Sequence, residues 1–73
     1  MTIFKTGDVV RIVCAGRSID GSIVLASSNG KSMMLMFDAI LDGHFGQMPV
    51  LRDDDGIYRS IVNGVEVEIK GSA

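Results

Sequence analysis

Several groups of residues in this 73-residue chain are of types that do chemistry. Asp53-Asp54-Asp55-Gly56 sets three carboxylates in a row, and calcium and magnesium take several carboxylate oxygens. Consecutive side chains do not converge on one ion without a special turn. The alternating ligands and closing glutamate of an EF-hand loop are missing. Asp before Gly is also the composition of a solvated β-turn, the reading favoured here. His44, the sole histidine, sits in Asp42-Gly43-His44-Phe45-Gly46. General-base work needs it beside a Ser or Cys with an orienting acid. Zinc needs more than one imidazole and one thiolate. The flanking glycines predict an exposed loop histidine. Cys14, the sole cysteine, lies in an apolar run and reads as a small buried hydrophobe. A nucleophilic thiol or an intermolecular bridge is the alternative. These residues lead to the expectation of no catalytic residue, no metal and no cofactor.

Arg11, Arg17, Lys31 and Arg59 are the candidate nucleic-acid contacts. Nucleic-acid modules gather a basic patch to neutralise phosphates. Here the basic residues are interleaved with acids and the formal net charge is -2. RNA modules also expose aromatic rings for stacking. The rings available are Phe4, Phe37, Phe45 and Tyr58. Phe37 alternates with Met33 and Leu35 and is expected inside, whereas Tyr58 is expected exposed beside the Asp turn.

The elements that must position these residues read as short strands separated by turn signals, the pattern of an all-β sandwich or barrel. The first covers Asp8 to Cys14, with Val10, Ile12 and Cys14 facing inward and Val9, Arg11 and Val13 outward. A loop from Ala15 to Gly21 follows, then a second strand from Gly21 to Ser27. Ser28-Asn29-Gly30-Lys31 predicts a type I′ hairpin, because Asn-Gly tolerates its two positive-φ positions. The third strand is Ser32 to Phe37. The stretch Ser32 to Gly43 also reads as a helix, with Ser32 as N-cap and Gly43 as stop, since Met, Leu and Ala are good helix formers. A helix there would be apolar on nearly every face, with little chain to surround it. Strand is preferred, with one short helical turn near 38–42. Gly43 to Gly46 is expected as loop. Gln47 to Arg52 forms a fourth strand with Pro49 at an edge or bulge. Ile57 to Ile61 forms a fifth. Asn63-Gly64 is a tight turn, and Val65 to Lys70 alternates cleanly as the last strand.

The apolar excess is the strongest pointer to a task. If Met33, Leu35 and Phe37 face inward, Met34 and Met36 face outward. Val9, Val13 and Val24 stand the same way on neighbouring strands. With Ile40, Leu41 and Phe45 from the 38–46 loop, they form an apolar surface, and monomers rarely leave large ones uncovered. Methionine suits adaptable binding surfaces because its side chain is flexible and polarisable. Either the 38–46 loop folds over these residues, or Met34, Met36, Ile40, Leu41 and Phe45 make an interaction surface for a second copy or a protein partner.

This order of parts resembles an SH3-like barrel, in which a long loop follows the first strand, a three-stranded meander comes next, and a short turn precedes the last strand. The resemblance implies one five- or six-stranded domain over residues 1–73. Gly7-Asp8, the alternation at Val10 and Ile12, Gly16 in the loop, and Gly21 before Ile23-Val24 further resemble the KOW motif of ribosomal proteins and transcription elongation factors. That resemblance implies nucleic-acid binding, although the loop Gly16-Arg17-Ser18-Ile19-Asp20-Gly21 lacks the usual lysines. Met48-Pro49-Val50-Leu51 and Asp54-Asp55-Gly56-Ile57-Tyr58 resemble stretches of short bacterial proteins.

Seventy-three residues make one domain. So short a chain buries only about 60% of the surface exposed when unfolded, and the single cysteine allows no internal disulfide. A hydrophobic fraction of 47% excludes intrinsic disorder. Neither a signal peptide nor an apolar run of membrane-spanning length is read, so a cytoplasmic location without membrane contact is expected. The functional expectation is a non-catalytic interaction module that forms a homo-oligomer or binds a protein partner. A KOW-like nucleic-acid module is the alternative.

Overall fold

Period-two alternation builds the first strand. In β1 (Val9–Cys14), Val10, Ile12 and Cys14 are buried, while Val9 and Arg11 face water. The computed structural model describes residues 4–71. Five further strands follow among these residues: β2 (Arg17–Ala26), β3 (Ser32–Leu41), β4 (His44–Arg52), β5 (Tyr58–Ser60) and β6 (Glu66–Gly71). Each pairs antiparallel with the next, and β6 returns to β1 to close a barrel. No residue among those described is helical. Closure removes the exposed sheet edges that a small β domain would otherwise present.

Two hairpins are tighter than the sequence predicts. Cys14 pairs with Arg17 across Ala15 (φ 51°) and Gly16 (φ 78°). Leu41 pairs with His44 across Asp42 (φ 46°) and Gly43 (φ 82°). Both two-residue turns have positive φ at each position, the type I′ pattern whose twist matches the strands it joins. The loop expected from Ala15 to Gly21 is therefore strand from Arg17 onward. The expected 38–46 loop, with its helical turn near 38–42, is replaced by the continuation of β3, a two-residue turn and the start of β4. Asn29-Gly30 does not make the type I′ turn. Only Gly30 has positive φ there (72°), in a wider loop closed by Ser27 N–H to the Ser32 carbonyl at 2.8 Å.

Bulges curl the sheet into so small a barrel. Ile23 pairs with Leu35 but Leu25 with Met34, which leaves Val24 as the extra residue of β2. On β3, three residues separate Met36 and Ile40, whereas only Gly46 separates their partners Gln47 and Phe45 on β4. Gly21 lies in the middle of β2 rather than at its start, where a Cβ would stand 2.6 Å from Ile12 Cδ1 and 2.6 Å from the Met36 carbonyl oxygen. Its bare backbone lets β1 and β3 close on β2.

The interior is filled by alternate residues: Met33, Leu35, Phe37 and Leu41 of β3, Met48 and Val50 of β4, Ile23 of β2 and Val67 of β6 join the β1 set. Met33, Leu35 and Phe37 face inward as their alternation predicts.

Candidate functional site

The same pleat that buries Met33, Leu35 and Phe37 turns Met34 and Met36 outward. Met34 stands between Leu25 of β2 and Pro49 of β4. Ile61 joins this row from the turn after β5, its N–H donating to the Pro49 carbonyl at 2.9 Å. Leu25, Met34, Pro49 and Ile61, with Ala26 and flanking serines, line a shallow groove of about 340 Å3. One pair further along β3, Met36 lies between Ser22 and Gln47. Beyond the β3 bulge, Ile40 and Phe45 face each other across the hairpin. Leu25 is 67% exposed and Phe45 74%. Met36, Ile40, Leu51, Ile61 and Val62 are exposed as well. The strand pairs from Ser32–Leu51 to Met36–Gln47 carry no charged side chain.

Of the expected surface residues, Met36, Ile40 and Phe45 are exposed and Met34 is half-buried. Leu41 is a correction: it is fully buried, because the residue before the tight turn points inward. Leu25, Pro49, Leu51 and Ile61 belong to the face without being predicted by the sequence pattern. Ile23-Val24-Leu25 looks uniform as a string, and only the Val24 bulge decides that Leu25 faces out.

His44 is also corrected. It is the first residue of β4, only 4% exposed, rather than an exposed loop residue. Its Nδ1 lies 3.0 Å from the carbonyl oxygens of both Leu41 and Asp42. Carbonyls only accept, so Nδ1 carries the proton and donates. Nε2 then accepts from the Ser60 hydroxyl at 2.7 Å. Ser60 Oγ in turn accepts the Val62 N–H at 3.1 Å. Ser, His and an orienting oxygen in sequence are the ingredients of an activated hydroxyl. Here both side chains sit inside the barrel, and neither lines the grooves of the surface. The arrangement ties the β3–β4 hairpin to the turn after β5.

The acidic turn is internally satisfied. Asp53 Oδ1 accepts the Ile57 N–H at 3.0 Å and the Asp55 N–H at 2.9 Å, and Oδ2 accepts from Arg59 Nε at 3.3 Å. The Ile57 bond first, then that of Asp55 and the Arg59 guanidinium, hold the Asp53 carboxyl below its ordinary range. No cluster of His, Cys, Asp and Glu suited to a metal occurs among the described residues. Cys14 is 2% exposed. Burial pushes its thiol up, and the Asp42 charge adds to this, which disfavours the nucleophilic thiolate.

The four candidate nucleic-acid contacts lie on four different elements: Arg11 on β1, Arg17 on β2, Lys31 in the β2–β3 loop and Arg59 on β5. Arg11 pairs with Asp20 at 3.0 Å and donates to Ser18 Oγ. Arg17 donates to the Ile40 carbonyl at 2.5 Å, and Arg59 is held by Asp53. Lys31 is exposed in the β2–β3 loop at the other end of β2 from Arg17. Tyr58 is half-buried rather than exposed, its hydroxyl donating to the Gly30 carbonyl at 3.1 Å. No helix among the described residues is long and apolar enough to cross a membrane.

No family model, curated protein or solved structure matches the chain.

Proposed function

We propose that the protein is a non-catalytic interaction module that docks through the outer face of β2–β3–β4. The closed antiparallel barrel is compatible with an SH3-like architecture, a scaffold type that serves many unrelated tasks. One observation carries the reading: the uncharged, apolar row Leu25–Met34–Pro49–Ile61 with Met36 beside it. Contiguous apolar surface of this kind marks interaction sites, and among the described residues no loop lies across it to bury Leu25 or Met36. The nucleic-acid reading has less behind it, because Arg11 and Arg59 are ion-paired and Arg17 is held by a carbonyl.

Methionine oxidation by dilute peroxide, read residue by residue, tests the face. In dilute protein Met36 is expected to oxidise fastest of the barrel methionines, then Met34, with the buried Met33 and Met48 protected. Protection of Met34 and Met36 must appear when the partner is present or the protein is concentrated. Oxidation unchanged at every concentration and with every candidate partner overturns the proposal.

A further inference from the structure

We infer that Asn63 is a self-modifying latch. Its side-chain amide ties the turn after β5 to the β3–β4 turn, and its spontaneous deamidation sets a second carboxylate against Asp42 and releases the two turns from each other. The inference is independent of the docking face.

The chain has two asparagines, Asn29 and Asn63, and a glycine follows each. A glycine in that place leaves the attacking backbone nitrogen unhindered, since it has no Cβ. The Gly64 nitrogen gives its proton to a solvent base and bonds to Asn63 Cγ. The Cγ–Nδ2 bond breaks, and Nδ2 leaves as ammonia with a proton returned by that base. Water then opens the five-membered succinimide, giving aspartate, or isoaspartate with the main chain routed through the side chain. Asn63 Oδ1 accepts the Val65 N–H, two residues on, at 3.0 Å. This Asx-turn folds the side chain back over the peptide it shares with Gly64. Asn63 and Gly64 are both exposed, so water and base reach them, whereas Gly30 beside Asn29 is buried.

The Asn63 amide is bonded at both ends. Besides the Val65 bond at Oδ1, Nδ2 donates to the Asp42 carbonyl at 3.2 Å and to Asp42 Oδ2 at 3.3 Å. An ionised carboxylate only accepts. After deamidation to aspartate the Val65 bond survives, both bonds to Asp42 are lost, and two like charges face each other. The ion pairs among the described residues, Arg11–Asp20, Arg59–Asp53 and Lys70–Glu68, give Asp42 no cation to offset the second charge. The Asp42 carbonyl also accepts from His44 Nδ1 at 3.0 Å, so the repulsion acts on the turn that the buried His44–Ser60 bond anchors. Asn29 is the contrast. Its Oδ1 accepts the Ser27 hydroxyl at 2.7 Å and the Lys31 N–H at 3.0 Å, and among the described residues no acceptor holds its Nδ2. An aspartate there accepts the same two donors, so the change costs little.

The test is thermal melting, followed by circular dichroism, of the freshly made full chain with Asn63→Asp, with Asn29→Asp, and with Asn63→Asp and Asp42→Asn together. Asn63→Asp is expected to melt about 4–8 °C below wild type, the shift that one net hydrogen bond makes in a domain of this size. Asn29→Asp is expected to stay within about 3 °C. The double variant reverses the bond, with the new amide at position 42 donating to the new carboxylate at position 63, and asparagine tolerates the positive φ of 46° there. It is expected to recover most of the loss. Mass spectrometry of aged, folded protein supplies the other arm. Tryptic cleavage after Arg59 and Lys70 places Asn63 in residues 60–70, and that peptide is expected to gain the mass of OH in place of NH2. An Asn63→Asp chain that melts with wild type, or a double variant no more stable than the single one, overturns the latch. If Asn63→Asp does not fold, a double variant that folds supports the latch and one that does not overturns it. A 60–70 peptide that stays unmodified in the folded protein while urea-unfolded protein converts overturns the site.

Discussion

Replacing Ser60 with Ala removes a hydroxyl that holds two groups at once. The imidazole Nε2 of His44 loses its donor at 2.7 Å, and the Val62 N–H loses its acceptor at 3.1 Å. Val62 is 71% exposed, so its amide can turn to water. His44 is 4% exposed, so Nε2 stays inside without a partner. A buried polar atom left unpaired costs about 1–3 kcal/mol, and we expect about 2 kcal/mol. That is a large part of the roughly 4–11 kcal/mol a domain of this size commands. Urea denaturation reads it directly. With a slope of about 1 kcal/mol per molar, the midpoint falls by about 2 M at unchanged slope. Ser60→Thr keeps the hydroxyl and is expected to lose far less. Ser60→Ala with His44→Leu removes both polar partners and is expected to recover part of the loss, because no orphaned acceptor remains. A Ser60→Ala protein within about 0.5 kcal/mol of wild type would refute the hydrogen-bond assignment, since ordinary surface substitutions fall in that range.

Gly21→Ala places a methyl 2.6 Å from the Met36 carbonyl and 2.6 Å from Ile12 Cδ1. Overpacking costs about 1–3 kcal/mol, and the upper end is expected because a ladder carbonyl cannot withdraw. Thermal melting that leaves the transition unchanged would show that β2 does not approach so closely. Asp53→Ala is expected to lower the melting temperature most at neutral pH. The folded Asp53 carboxyl is depressed, so its contribution is complete above the unfolded value of about 3.9 and is lost as pH falls through the folded one. The gap between wild type and variant must narrow on acidification, and a gap that widens would contradict the turn's hydrogen-bond pattern.

The strands that face two environments are legible in the sequence. Val10-Arg11-Ile12-Val13-Cys14 is read with Val10, Ile12 and Cys14 inward and β1 lies so, whereas Met33-Met34-Leu35-Met36-Phe37 is apolar throughout, and it is the strand preferred over the helix that puts Met33, Leu35 and Phe37 inside. The tight turns are harder. Asp42-Gly43 is a type I′ signal, but the apolar, helix-favouring residues before it point to a helical turn and a long loop. Ala15 gives no warning, because alanine rarely adopts positive φ. Gly21 reads as a loop boundary, whereas it is bare for the sake of close packing with neighbours 9 to 16 residues away in sequence. Such contacts leave no local trace. The glycines flanking His44 suggest water around it, and nothing near it in sequence announces Ser60 as its partner. Of the outer face, the methionines are legible by period two. Leu25 and Ile61 depend on a bulge and on a turn geometry that composition does not encode.

The most direct test is dilute-peroxide oxidation of the folded protein, read methionine by methionine by mass spectrometry. Met36 is expected to oxidise first and Met34 next, with Met33 and Met48 protected until the barrel unfolds. Oxidation of Met33 or Met48 ahead of Met36 in the folded protein would contradict a barrel whose third strand turns Met34 and Met36 outward.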